Sequence, residues 1–372
     1  MKKVLVIIGT RPEAIKLAPV VHALREMPDD FETRVCLTGQ HREMLYQALN
    51  NFDISYEYDL KLMKPGQTLS QITASIGEAL QKVIDEYCPD VILVQGDTTT
   101  AFVGGLVGFY NKVKIGHVEA GLRTNDKYAP FPEEMNRRLV SSLADYHFAP
   151  TVMAKKALLK EGVRPEAIVV TGNTVIDALF YTLKNTGQDM SEIDSLKSIL
   201  ASGKRILLIT GHRRENFGEG FLNICEAIKT IATDFPDLIL VYPVHLNPNV
   251  QTPVYSLLEG MDNVFLIDPV SYVPFVKLMD SAYIVLTDSG GVQEEAPSLG
   301  KPVLVMRDVT ERQEAVEAGT AILVGTDQEK IVSEVTRLLT HEADWEEMSK
   351  TRNPFGDGKA ASRIVEFLQC QK

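Results

Sequence analysis

The sequence predicts an α/β protein built from two units of doubly wound parallel sheet, and three observations predict it. Short β-branched runs alternate with longer helical patterns along the whole chain, the signature of strands joined by crossover helices. The runs VLVII, VILV, LLIT and LILV are continuously apolar, as parallel strands buried on both faces require. The strand candidates also fall into two series, 3–8, 33–37, 91–94, 114–118, 146–149 and 168–171, then 205–209, 238–242, 264–267, 284–286, 303–306 and 321–324.

Strand signals pause at 172–174 and again in the polar stretch 185–204. The break is placed at the first pause, giving a first unit of 1–171 and a second of 172–358. Asn353-Pro-Phe-Gly-Asp-Gly358 is a turn cluster that stops one helix before a last one, 359–369, so residues 359–372 are expected to pack back on the first unit. No repeat of 20 to 50 residues is present.

Composition sets the outer bounds. A chain of 372 residues suits two domains at about 150 residues each, and its 45% apolar and 24% charged content is that of an ordinary globular protein. With 38 basic against 50 acidic residues the net charge is −12, the wrong sign for a general nucleic-acid binder. A small anionic ligand stays open, because screening confines exposed charges to about 8 Å and a local arginine cluster can outvote the total. Cys36, Cys88, Cys225 and Cys370 have no C-x-x-C spacing, so a reducing, cytoplasmic setting is expected without a disulfide framework or a zinc knuckle. The start MKKVLVIIGTRPE lacks a small-residue cleavage site and reads as a first strand rather than a signal peptide. No run approaches the ~18 apolar residues of a membrane span.

In open α/β sheets ligands bind beyond the carboxyl ends of the strands, so the residues after each strand carry the chemistry. After 3–8 comes Gly9-Thr-Arg11-Pro12, with Pro12 expected at the first helical position and Lys16 one turn on. An arginine wedged between strand end and helix start reads as a ligand contact. The motif is not G-x-G-x-x-G, which disfavours a dinucleotide. After 91–94, Asp97 precedes a threonine run, and a helix cap and a functional carboxylate are equally good readings. After 114–118, Glu119 sits beside Gly121, a poor place for an idle charge. Glu133 and Glu134 follow Pro132; a plain helix start with i,i+4 pairs to Arg137 and Arg138 could hold for one acid and not the other. His117 and His147 read as structural, and no His/Asp cluster suggests a metal.

In the second series, His212-Arg213-Arg214 follows 205–209 and can present cationic donors to a diphosphate. Ser289-Gly290-Gly291 follows 284–286 and opens a helix, where free N–H groups make a phosphate site. A tight turn capped by Ser289 explains those three residues equally well. Glu295, about a turn further, can accept from a ribose diol, whereas dipole stabilisation is the plainer account of such an acid. Arg312 has the weakest signal.

These segments taken together resemble a family. Gly9-Thr-Arg-Pro-Glu-Ala-Ile-Lys16, Gln40-His-Arg-Glu-Met-Leu45, Gly96-Asp-Thr-Thr-Thr100, His117-Val-Glu-Ala-Gly-Leu-Arg123 and Gly172-Asn-Thr-Val-Ile-Asp177 are similar, in order, to blocks of the bacterial non-hydrolysing UDP-N-acetylglucosamine 2-epimerases. Gly211-His-Arg-Arg-Glu215, Tyr242-Pro-Val-His-Leu-Asn-Pro248 and the segment from Asp288 to Pro302 continue the resemblance. It implies a GT-B-like fold of two Rossmann-like units facing a cleft, a homodimer, and interconversion of UDP-GlcNAc and UDP-ManNAc without a cofactor or a metal, supplying surface polysaccharide. Carried over residue by residue, it implies catalytic roles for Asp97, Glu119, Glu133, Arg137 and His212. Substrate contacts would come from Arg11, Lys16, Phe275, Ser289, Gly290, Gly291, Glu295 and Arg312, with Phe275 near the uracil. An activating second UDP-GlcNAc would meet Gln40, Gln67, Arg213 and His245, although Glu43 and Gly66 depart from the Gln and Arg of activated members. Gln95 and Gln313 depart from a usual His and Pro beside site residues.

Rival readings stay open on sequence. A glycosyltransferase of the same fold would need an acceptor, a hydrolysing epimerase would release free ManNAc, and a nucleotide-sugar sensor would have no use for three carboxylates.

Overall fold

Every strand of the protein lies parallel to its neighbours, in one seven-stranded and one six-stranded sheet. The computed structural model describes residues 1–39, 42–64, 66–185 and 190–371, with the Arg42 side chain left aside. The chain divides into a first unit, Met1–Lys184 with Phe355–Lys372, and a second, Asn185–Pro354.

The first unit runs β1 (Lys2–Ile8), α1 (Arg11–Arg25), β2 (Phe31–Leu37), α2 (Arg42–Asn51), β3 (Tyr58–Asp59), α3 (Leu69–Tyr87), β4 (Val91–Gln95), α4 (Thr99–Tyr110), β5 (Lys114–Val118), α5 (Glu133–Leu143), β6 (Tyr146–Ala149), α6 (Val152–Lys160), β7 (Ile168–Val170) and α7 (Thr174–Lys184). The second runs α8 (Lys197–Leu200), β8 (Ile206–Thr210), α9 (Glu219–Asp234), β9 (Ile239–Pro243), α10 (Pro248–Leu258), β10 (Val264–Ile267), α11 (Tyr272–Ser281), β11 (Ile284–Thr287), α12 (Gly290–Glu295), β12 (Val303–Val305), α13 (Gln313–Ala318), β13 (Ala321–Leu323), α14 (Gln328–Thr340) and α15 (Glu342–Lys350). The last helix, α16 (Ala360–Cys370), belongs to the first unit.

The strand orders are β3-β2-β1-β4-β5-β6-β7 and β10-β9-β8-β11-β12-β13. In each sheet the order reverses at one place, between β1 and β4 and between β8 and β11, which is where doubly wound sheets open a ligand crevice. The central strands are buried throughout, as their unbroken apolar runs require. Helices press closely where glycine permits: a Cβ on Gly104 of α4 would lie 2.9 Å from Val94 Cγ1.

The structure corrects the reading of the sequence in four places. The break between units falls at 184/185 and not at 172, because α7 covers the sheet it follows. Tyr181 of α7 stacks on His22 of α1 at 5.1 Å, and both carboxylate oxygens of Asp177 cap α16 through the N–H groups of Ala360 and Ala361. A pause in strand signal marks the end of a strand, whereas a unit ends where side-chain packing ends. The chain also returns to the first unit at Phe355 rather than 359. There α16 is held by Lys2 Nζ on the Leu368 and Gln371 carbonyls and by Phe367 edge-on to Tyr146 and Phe148. Finally, β3 has two residues, too short to show a pattern in sequence, and α1 opens at Arg11, which puts Pro12 second in that helix.

Among the described residues no helix is long and apolar enough to cross a membrane.

Candidate active site

In the first unit the chemistry gathers at the carboxyl ends of β1, β4 and β5. Glu13 folds back over the turn that starts α1: its Oε2 accepts from the N–H of Gly9 at 2.9 Å, the N–H of Thr10 at 2.6 Å and the Thr10 hydroxyl at 2.8 Å. Its Oε1 accepts from the Thr98 hydroxyl at 2.6 Å. One buried carboxylate therefore ties the turn bearing Arg11 to the turn bearing Asp97. Burial pushes Glu13 up to about 7 against the pull of these donors. Gly9 has no room for a side chain, since a Cβ would meet Thr100 Oγ1 at 2.2 Å. Half-buried Arg11 makes no hydrogen bond or ion pair among the described residues.

The cap of α4 is Thr98, whose hydroxyl accepts from the Ala101 N–H at 3.0 Å, so Asp97 is not needed for it. Asp97 instead pairs with the Arg137 guanidinium, and its main-chain carbonyl accepts from Asn136 Nδ2 at 3.0 Å. Burial lifts the Asp97 carboxyl above the ordinary aspartate range, Arg137 opposes, and the nearby Glu119 charge adds to the rise. Glu119 itself stands in left-handed backbone at φ 64°, a conformation that costs a side-chain-bearing residue roughly 1 kcal/mol and gathers at functional positions. Its buried carboxylate accepts from Lys16 Nζ on both oxygens at 2.7 Å, from Gln95 Nε2, and from Asn173 Nδ2 at 3.1 Å. Two carboxylates thus sit close together, one braced by Lys16 and the other by Arg137.

The two acids that open α5 separate in role. Glu134 is fully buried and accepts from the N–H groups of Thr124 and Asn125 and from Arg138 Nε at 2.9 Å. Burial alone would raise its carboxyl; those donors, with Arg137 alongside, hold it below the usual range. Glu133 is half-buried, and its Oε2 is shut off from solvent with no hydrogen-bond partner among the described residues. The helix-start account is therefore true of Glu134 and leaves Glu133 available for chemistry. His117 donates from Nε2 to the Gly96 carbonyl at 2.7 Å, and burial lowers its pKa to about 3; His147 pairs with the Ser141 carbonyl at 2.9 Å and is lowered likewise by burial. Both are neutral structural residues.

The second unit builds its site chiefly from backbone. Buried Asp288 accepts on Oδ2 from the N–H groups of His212 and Arg213, each at 2.8 Å, and so shapes the loop after β8. The His212 ring stacks on His245 at 5.3 Å with its Nδ1 3.5 Å from Asp288 Oδ1. Burial lowers the His212 pKa, and Asp288 opposes. Ser289 makes no side-chain cap bond to α12, so capping does not account for it. Gly290 lies against the Arg312 guanidinium, its would-be Cβ 3.4 Å from Cζ. Arg312 is anchored by Glu294 at 2.7 Å, and Glu295 accepts from the Tyr272 hydroxyl at 2.8 Å. Phe275 lies three residues beyond Tyr272 on α11, half-buried.

The structure thus gathers Arg11, Lys16, Asp97, Glu119, Glu133 and Arg137 in one unit and His212, Arg213, His245, Ser289, Gly290, Gly291, Glu295 and Arg312 in the other. Lys16, expected on the substrate, is engaged with Glu119. Gln67 belongs to the first unit and accepts from the Lys64 N–H at 2.6 Å; Gln40 lies outside the described residues. Sequence reasoning passed over Glu13, Asn173, Asp288 and Tyr272 as site members. Glu13 and Asn173 look like helix-start residues and are such, which hid their second bonds. Asp288 carried a readable signal, a charge at the end of a buried strand. Among the described residues no group of three or more His, Cys, Asp and Glu is placed to hold a metal ion.

Fold and site together define a GT-B-like α/β protein with two Rossmann-like units, one rich in paired acids and bases and one presenting a glycine-lined, cationic loop set. A family model described as UDP-N-acetylglucosamine 2-epimerase matches residues 22–369. The UDP-N-acetylglucosamine 2-epimerase of Yersinia pestis is 56% identical over 370 residues, covering 99% of this chain and 98% of its own. That of Escherichia coli K12 is also 56% identical, over 374 residues, with coverage of 99% and 98%. A crystal structure of UDP-GlcNAc 2-epimerase from Neisseria meningitidis bound to UDP-GlcNAc superposes with TM-score 0.86 at 48% identity, over 99% of this chain and 100% of that one. The chain belongs to the UDP-N-acetylglucosamine 2-epimerase family and is an isomerase of that kind.

Proposed function

We propose that this protein interconverts UDP-GlcNAc and UDP-ManNAc by eliminating UDP and adding it back. The observation that carries this reading is the pair Asp97 and Glu119, each braced by a cation, with Glu133, whose Oε2 has no hydrogen-bond partner among the described residues, one turn before Arg137 on α5. The C2–H of a sugar acetal has no adjacent carbonyl, so a base cannot simply remove its proton near neutral pH. Removal becomes feasible when the C1–O bond to UDP breaks as the proton leaves to a base: the C2–H electron pair becomes the C1=C2 double bond and the C1–O pair departs on the diphosphate, giving UDP and 2-acetamidoglucal. Return of a proton to the opposite face of C2, with a diphosphate oxygen rejoining C1, gives the epimer.

Two faces require at least two acid/base groups, and Asp97, Glu119 and Glu133 supply three candidates. The raised Asp97 carboxyl suits a group that must both take and give a proton. Developing charge on the leaving diphosphate calls for preorganised donors. Arg11, His212, Ser289, Gly290, Gly291 and Arg312 are assigned to it, with Glu295 on the ribose, Phe275 near the uracil, Lys16 and Arg137 stabilising the acids. The relative's UDP-GlcNAc complex supports this choice of ligand. Within the same proposal the enzyme is a cytoplasmic homodimer whose product feeds surface polysaccharide, and Gln40, Gln67, Arg213 and His245 receive a second, activating UDP-GlcNAc.

A proton NMR time course of UDP-GlcNAc in heavy water, with purified protein and no added cofactor, tests the reading. UDP-ManNAc should accumulate with deuterium at C2 in both epimers. An unchanged sugar that keeps its C2 proton ends the proposal, and free ManNAc would assign the hydrolysing reaction instead.

A further inference from the structure

We infer that Asn173 is a positioning residue for the reaction, holding the Glu119 carboxylate ionised and aimed, and that the returning C-terminal segment holds Asn173 in turn. The inference rests on the catalytic reading of Glu119.

Asn173 is buried at the start of α7, and its bonds include three of different kinds. Its side-chain oxygen accepts from the Val175 N–H at 3.2 Å, the local bond of a helix cap. Its side-chain nitrogen donates to Glu119 Oε1 at 3.1 Å, 54 residues away in sequence. Its backbone N–H donates to the Phe355 carbonyl at 2.6 Å, the first residue of the chain's return to this unit. Close approach seals the last contact: Gly172 stands at φ 90° with a would-be Cβ 3.1 Å from Gly356 Cα. A helix cap alone needs only the first of these bonds. The amide group is divided, its acceptor given to the fold and its donor to the acid.

Glu119 needs such a donor. Its backbone is in the left-handed region, so rotation about its own side chain is the only easy freedom left to it. Lys16 supplies charge from a flexible stem, whereas Asn173 and Gln95 come from rigid element ends and set direction. The charged or titratable groups facing Glu119 are Lys16 on α1, Asp97 after β4 and His117 on β5. Of these, His117 is neutral at any working pH, and a donated hydrogen bond favours the ionised carboxylate over the acid.

The roles of fold and donor can be separated by substitution. Asn173→Ser keeps a capping oxygen but is too short to reach Glu119, and it adds no charge. Asn173→Asp keeps the capping oxygen and turns the donor into an acceptor. Both should lower kcat about tenfold to a hundredfold with KM for UDP-GlcNAc nearly unchanged. The limb of kcat against pH that reports Glu119 should move to higher pH, because the ionised form has lost a donor. A residue with only a structural role would lower the rate equally at every pH and would lower the unfolding midpoint, which Asn173→Ser should leave close to the parent's.

Glu119→Gln is measured alongside. If it is inactive while Asn173→Ser and Asn173→Asp keep the parent's kcat and pH limb, the inference is overturned and Glu119 stands. If Glu119→Gln itself turns over normally, the catalytic reading of Glu119 is what fails. Should Asn173→Ser not fold, Asn173→Asp carries the same comparison.

Discussion

The two units place their working loops at the same topological position and equip them in opposite ways. Each sheet reverses its strand order beside a central strand, and in each the loops after the two strands at that switch carry proposed site residues, joined in the first unit by Glu119 after β5. A threonine pair also links elements in each unit, Thr38 after β2 to Thr100 on α4 at 2.9 Å, and Thr210 at the end of β8 to Thr287 at the end of β11 at 2.6 Å. In the first unit the loops hold buried side chains that neutralise one another. In the second they hold glycines and backbone N–H groups shaped by one buried acid, Asp288. A proton carrier needs a titratable group whose environment is tuned by neighbours, whereas an anion needs close, unobstructed donors that do not change state. The contrast is the one the proposed reaction calls for, between moving protons and holding a leaving group.

The largest expected effect tests the proton side. Asp97→Asn and Glu119→Gln should each reduce turnover by about 10²- to 10⁴-fold, the usual span for a general acid or base. UDP affinity should stay within about twofold by calorimetry if binding resides in the other loop set. Turnover near the parental rate would withdraw the residue concerned, and a matching loss of UDP affinity would dissolve the contrast.

Arg11 crosses the comparison, since it stands in the first unit but is assigned to the diphosphate. Arg11→Ala should weaken UDP binding about tenfold to a hundredfold, as loss of a charge-assisted contact does. Thermal stability should not change, because Arg11 makes no other bond among the described residues. Unchanged UDP affinity would remove Arg11 from the phosphate site.

Two buried groups of the first unit should give stability opposing dependences on pH. His117 takes up a proton near 6.5 when unfolded but only near 3 when buried, so acidification through that window favours the unfolded chain. The loss amounts to roughly 2 kcal/mol between about pH 6.5 and 5. Glu13 acts in the opposite sense: raised from 4.5 to about 7, it binds its proton first in the folded chain, so stability falls as pH rises through that range. The two slopes oppose each other in the parent. In His117→Gln the His117 contribution is removed, and urea unfolding should show the variant gaining on the parent by that amount as pH is lowered. A difference between the two that stays constant with pH would contradict the assignment.

The smallest effect sharpens the binding side. Tyr272→Phe removes one neutral-donor bond to Glu295, so UDP affinity should fall about fivefold with kcat unaltered. A larger loss in kcat than in affinity would place Tyr272 with the chemistry instead.

Much of this was legible along the chain. Continuous apolar strands with helices between them determine two parallel sheets, because a strand buried on both faces cannot alternate. The loops after those strands named Arg11, Asp97, Glu119, His212 and Ser289-Gly290-Gly291, because the carboxyl ends of parallel strands are where ligands meet a doubly wound sheet. Helix-start chemistry left open that the plain account held for one of Glu133 and Glu134 and not for the other.

Which one it was, only the tertiary structure decided. Glu134 accepts from the Thr124 and Asn125 N–H groups of the loop that leads into α5, and no spacing along α5 itself encodes that. The end of the first unit was decided the same way, by Tyr181 on His22 and Asp177 on α16, contacts that span 159 and 183 residues. Glu13, Asn173 and Asp288 each have partners that lie across the fold. Period and propensity are properties of neighbours in sequence and survive in a one-dimensional reading. The tuning of a buried charge is set by whatever desolvates and pairs it, and those groups are brought together only by folding.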